Sequence, residues 1–173
     1  SFDAGSGFAA DPPLQIYVDG GAGNNALTVR DSTGDDVLKL YPARAEMWGP
    51  GYVLESEATG QIYAYAQWGG DDETRLYDSA GDDLFLADGK ANGVRLRGPG
   101  CDNYAEGFDR AYAYATAGGK DEARLYDSPG DDLFEFFPIW ARVTGDGYFH
   151  NLQGFTTMIG KAELGAGGAD EAL

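Results

Sequence analysis

Apolar and polar residues alternate with a period of two through several short stretches of the chain. QIYAYAQ (61–67) and RAYAYAT (110–116) alternate throughout, as do TRLYD (74–78) and ARLYD (123–127). This is the pattern of a strand with one buried face. In the second set one face carries Leu27, Val29 and Asp31, then Thr74, Leu76 and Asp78, then Ala123, Leu125 and Asp127. The other face carries Thr28, Arg30, Arg75, Tyr77, Arg124 and Tyr126, so the first face is expected to look inward. A third strand follows, with Leu38 and Leu40, Phe85 and Ala87, and Phe134 and Phe136 in phase, and a weaker fourth runs near 94–97 and 141–144. Helical periodicity is absent, which predicts an all-β fold.

The strands belong to a repeat. Gly20-Gly21 returns as Gly69-Gly70, Gly118-Gly119 and Gly167-Gly168, 49 residues apart each time. Each of the first three pairs is followed by an aspartate turn, DSTGDD (31–36), DSAGDD (78–83) or DSPGDD (127–132), and then by GPGY (49–52), GPGC (98–101) or GDGY (145–148). The periods run 20–68, 69–117 and 118–166 within a single repeat domain, 1–173, with partial repeats at both ends. Four short strands per period fit a β-solenoid-like stack of about three 49-residue repeats. In that reading each repeat is a coil of about four sides, and equivalent strands of successive repeats pair directly. The alternative is a propeller with four-stranded blades. Closure disfavours it, because a propeller needs at least ~4 blades.

Both ends interrupt the repeat: GSGF (5–8) resembles GPGY without its preceding strands, and GGADEAL (167–173) starts a period and stops. The expectation is a continuation into further copies of itself or adjoining repeats of a longer chain, head to tail. Leu14, Ile16 and Leu164 would then be buried at the junction.

Composition narrows the partners. Over 173 residues, 29 acidic side chains against 12 basic ones give a net charge of -17, which excludes binding nucleic acid by phosphate neutralisation. A hydrophobic share of 43% and an aromatic share of 13% are too large for a disordered acidic tail. No apolar run approaches the ~18 residues of a membrane-inserting helix. One cysteine (Cys101) and one histidine (His150) cannot make a disulfide framework or an all-Cys/His zinc site. Cys101 stands where the other periods have tyrosine and reads as partly buried, and His150 reads as a surface or turn residue.

The aspartate turns carry the candidate chemistry. Glycine at the fourth position permits a positive φ, and Asp31, Asp78 and Asp127 suit Asx-turns that bond backbone amides. A second reading starts from stacking, which would set Asp35-Asp36, Asp82-Asp83 and Asp131-Asp132 coil above coil, ~5 Å apart. Like charges so close repel unless a hard cation intervenes, with Ca²⁺ the leading choice. The candidate metal ligands are thus Asp31, Asp35, Asp36, Asp78, Asp82, Asp83, Asp127, Asp131 and Asp132. Tyr63, Tyr65, Tyr112 and Tyr114 form a candidate ligand or assembly surface if Ala64, Ala66, Ala113 and Ala115 face inward. The opposite orientation, with tyrosines filling a wide core, stays open. Acids recur in every period, whereas a catalytic constellation would break the repeat at one place, so no catalytic residue is assigned and the chain reads as a non-enzyme.

FDRAYAYATAGGKDEARLYDSPGDDLFEF (108–136) is similar to tandem repeats of large extracellular proteins from planctomycete-type bacteria, in which AYAYATAGGxD and LYDSxGDDxF elements alternate. GGAGNNALTV (20–29) resembles, locally and distantly, the haemolysin-type calcium-binding glycine/aspartate repeat, with Asn25 in place of its aspartate. The first resemblance implies an extracellular or cell-surface location and a repetitive role. The expected function is a non-catalytic structural module of an extracellular fibre, sheath or adhesin, stacked through its β-repeats with Ca²⁺ as the candidate stabilising ion. The alternative is a carbohydrate-binding module or appendage of a polysaccharide-active enzyme.

Overall fold

A computed structural model describes residues 12–162, the backbone of Phe2–Gly5 and the short strand Glu171–Ala172. Gly167-Gly168 and Leu164, and most of the GSGF element, lie outside the described residues. The structure is a two-sheet β-solenoid with no helix among the described residues. It opens with β1 (Phe2–Gly5) and β2 (Leu14–Asp19). The first period then supplies β3 (Ala26–Ser32), β4 (Val37–Tyr41), β5 (Arg44–Gly49), β6 (Tyr52–Glu57) and β7 (Gln61–Tyr65). The second supplies β8 (Glu73–Tyr77), β9 (Leu84–Asp88), β10 (Gly93–Gly98), β11 (Cys101–Glu106) and β12 (Arg110–Tyr114). The third supplies β13 (Glu122–Tyr126), β14 (Leu133–Phe137), β15 (Trp140–Gly145), β16 (Tyr148–Gln153) and β17 (Thr157–Lys161), and β18 (Glu171–Ala172) follows.

Each period holds five strands, one more than the alternation indicates. The extra strand is the fourth in each period (β6, β11, β16), where Ser56, Asn103 and His150 point inward and blur the apolar period. The second to fourth strands form an antiparallel meander within one sheet, and the first and fifth each lie in the opposite sheet. The chain therefore changes sheet three times per period. Three is odd, so successive periods exchange sheets: the meander lies in the ten-stranded sheet in periods one and three and in the eight-stranded sheet in period two.

This parity overturns the expectation that equivalent strands pair directly. β8 lies between β4 and β12, and β13 lies between β9 and β17, all in parallel. The coil has two sides, not four, because the meander folds back within its own sheet. Pairing does run between periods, as in β7 with β11 and β9 with β13, so the repeats are not separate blades.

The inward faces are those expected from the alternation. Leu27, Val29, Leu76, Leu125, Leu38, Leu40 and Phe85 are buried in one continuous core. Burying each such side chain contributes about 1.5–3 kcal/mol. Ala64 and Ala113 are also buried, so the neighbouring tyrosines point outward. Small alanines on β7 and β12 leave room for the larger residues that face them.

Candidate functional site

Parallel strands in each sheet place every crossover of one direction on the same side of the solenoid. One edge carries the passages from the eight-stranded to the ten-stranded sheet, among them 32–37, 65–73 and 126–133, and the other edge carries 77–84 and 114–122. The first and second aspartate turns therefore sit on opposite edges. The expected coil-over-coil stack of Asp35-Asp36 on Asp82-Asp83 on Asp131-Asp132 does not form, for the same odd-crossover reason. The first and second turns instead each lie against the Gly-Gly crossover of the following period.

The first turn shows the plan. Asp31, at the end of β3, accepts the Gln67 and Trp68 N–H groups at 2.8 Å each through Oδ2. Asp36 Oδ2 accepts the Ser32 backbone N–H at 2.8 Å and its hydroxyl at 2.9 Å, closing the turn. The Asp36 N–H donates to Asp72 Oδ1 at 2.9 Å, and the Asp72 N–H donates to Asp109 Oδ2 at 2.8 Å. The Tyr52 hydroxyl, from the meander, donates to Asp36 Oδ1 at 2.5 Å. Asp35 is exposed and accepts the Asp71 N–H at 2.9 Å. Glycine is required where the two loops touch: Gly70 has φ +127°, and a β-carbon there would run into the Gly34 carbonyl.

The second turn repeats the plan on the other edge. Asp78 accepts the Ala117 N–H through both oxygens, at 2.8 and 3.1 Å. Asp83 Oδ2 accepts from Ser79, the Asp83 N–H donates to Asp121 Oδ1 at 3.0 Å, and exposed Asp82 accepts the Lys120 N–H at 2.8 Å. Cys101 replaces Tyr52, with its sulfur 4.0 Å from Asp83 Oδ1. In the third turn Ser128 donates to Asp132, as does the Tyr148 hydroxyl, and Asp127 and Asp132 are buried while Asp131 is exposed.

Among the described residues two groups of three buried carboxylates result, Asp31–Asp36–Asp72 and Asp78–Asp83–Asp121, each offering one oxygen per residue within 4.8 Å of the others. Of the nine aspartates expected as ligands, the structure brings Asp31 with Asp36 and Asp78 with Asp83, while Asp35, Asp82, Asp127, Asp131 and Asp132 belong to neither group. Asp72 and Asp121 were not anticipated, although an aspartate two places after the Gly-Gly pair recurs in register with the turns. Burial pushes Asp31, Asp83 and Asp121 above the usual carboxylate range. It carries Asp72 up to about 7 against the lowering effect of the Asp36 N–H bond. Burial and the Asp83 charge push the Cys101 thiol up to about 11. Ion pairs lie on the sheet faces, as in Arg75–Glu73, Arg95–Asp102, Arg124–Glu122 and Arg142–Glu135, and Arg110 reaches Asp71 in the 65–73 crossover.

The tyrosines divide between faces. Tyr63 and Tyr65 lie on the outside of the eight-stranded sheet, and Tyr112 and Tyr114 on the outside of the ten-stranded one. Tyr114 stacks on Tyr77 (5.3 Å, 19°) and Tyr77 on Tyr41 (4.7 Å, 8°), with the Arg44 guanidinium 4.2 Å from the Tyr41 ring. Stacked face to face across strands, these rings cover one another and present their rims and hydroxyls outward. His150 is not a surface residue: it points into the core from β16, is 1% exposed, and has Nε2 3.3 Å from Asn92 Oδ1. Comparison with protein-family models, curated proteins and solved structures finds no match.

Proposed function

We propose that the chain is a non-catalytic structural module of an extracellular fibre, sheath or adhesin, extended by stacking solenoid ends head to tail. The observation that carries this reading is the use to which the acids are put. In the first two periods the turn carboxylates cap backbone amides of the next crossover, so the chemistry of the repeat is spent on holding one coil to another. The ends support the same reading. Among the described residues β2 pairs only with β6 and β17 only with β13, and Leu14 on β2 is 42% exposed. An open strand edge is a template for another strand, and a heterologous contact of this kind propagates without closing.

Carbohydrate binding ranks second, since the faces of the Tyr41–Tyr77–Tyr114 row, which would stack on sugar rings, are occupied by one another. The test is light scattering and negative-stain imaging of the purified chain over a wide concentration range. Growth of unbranched filaments supports the proposal. A strictly monomeric species at high concentration, together with specific binding on a glycan array, favours the second reading.

A further inference from the structure

The two buried aspartate groups share a plan but differ in how their first aspartate is satisfied. In the second group both Asp78 oxygens accept the Ala117 N–H. In the first, Asp31 gives only Oδ2 to the Gln67 and Trp68 amides, and its Oδ1 is buried without a hydrogen-bond partner on a residue that is 0% exposed. A buried carboxylate oxygen with no donor is costly, and each such atom calls for a specific cause. A positive side chain does not supply it: among the described residues no Lys or Arg forms an ion pair with Asp31, Asp36 or Asp72, and the nearby Arg110 is engaged by Asp71 and Glu73. One oxygen from each of the three lies within 4.8 Å of the others. A cation with bonds of about 2.3–2.6 Å spans up to about 5 Å between ligands on opposite sides.

We propose that Asp31, Asp36 and Asp72 together hold one hard divalent cation of the Ca²⁺ type, whereas Asp78, Asp83 and Asp121 hold none. The donor set is oxygen only, which matches Ca²⁺ and not a thiolate- or imidazole-seeking metal. Asp31 Oδ1 is the ligand that distinguishes the two groups. The ion ties β3 and its turn to the 65–73 crossover, and so joins the first two periods at one edge. The site lies within a single chain, so it stands or falls independently of head-to-tail assembly.

The test is calorimetric titration of the chelator-treated full chain with CaCl₂, alongside thermal melts with and without Ca²⁺. Wild type is expected to bind and to melt about 5 °C or more higher at saturating Ca²⁺. Asp31→Asn keeps an acceptor for both amides and is expected to remove one equivalent of binding, as is Asp72→Asn. Asp121→Asn is expected to leave the number of equivalents unchanged. Circular dichroism in chelator verifies that each variant is folded. Absence of binding to wild type, full binding by a folded Asp31→Asn or Asp72→Asn chain, or loss of an equivalent in Asp121→Asn would each overturn the proposal.

Discussion

Lowering the pH from about 7 to about 4 should cost the fold about 3 kcal/mol through His150 alone. Its Nε2 lies 3.3 Å from Asn92 Oδ1, its Nδ1 is buried without a partner, and the Tyr148 ring is 4.8 Å away. Its neighbours in register are Ala111 and Val143. None of these groups is a carboxylate or a cation, so burial alone drives the imidazole from 6.5 down to about 4. A depressed folded-state value means that the fold favours the neutral ring. The stability is fully present above the unfolded value of 6.5 and is lost as the pH falls toward about 4. Integrating between the two values gives a loss of about 2 kcal/mol by pH 5 and about 3 kcal/mol by pH 4.

Carboxylates titrate over the same range, so the informative quantity is the difference between wild type and His150→Leu, which places at 150 the leucine that the first period has at the fully buried Leu54. Urea unfolding at about pH 7, 5 and 4 reads it. Wild type should lose those amounts relative to the variant. Parallel stability curves for the two chains would refute the buried, uncompensated imidazole.

Other residues give independent checks. Tyr52→Phe removes the donor to Asp36 Oδ1 and should lower unfolding free energy by about 1–3 kcal/mol in chemical denaturation. Gly119→Ala, at φ +107° with the Gly81 carbonyl in the path of a β-carbon, should destabilise by about 2 kcal/mol or more and lower the melting temperature. Leu76→Ala opens a cavity at a fully buried position and should cost about 2–5 kcal/mol by urea unfolding. Cys101, 6% exposed with its thiol held at about 11, should resist alkylation near pH 8 in the native protein and react at once in denaturant.

Strand identity and facing were legible wherever small or apolar inward residues alternate with large polar ones, as at Leu27 and Val29 or Leu76 and Asp78. The fourth strand of each period was not, because Ser56, Asn103 and His150 turn inward with their polar groups. Sheet assignment was also beyond reach of a local pattern. It depends on whether the chain crosses an odd or even number of times per period, which the meander decides by folding back in its own sheet. The same parity separated aspartates expected to stack and brought Asp72 and Asp121 to the turns instead. Their recurrence two residues after the second and third Gly-Gly pairs was visible, but its link to the preceding turn, 36 residues away for Asp36 and Asp72, was not.

The exchange of sheets by successive periods underlies both the aspartate groups and the open ends, and paired cysteines test it directly. Arg75 on β8 lies in register with Tyr112 on β12, whereas its sequence equivalent, Arg124 on β13, belongs to the other sheet. Neighbouring strands about 4.8 Å apart are within disulfide reach, and opposite faces of a sandwich are not. In a Cys101→Ser background, Arg75→Cys with Tyr112→Cys should cross-link on mild oxidation within one chain, and Arg75→Cys with Arg124→Cys should not. Efficient intrachain cross-linking of the second pair and not the first would contradict the fold.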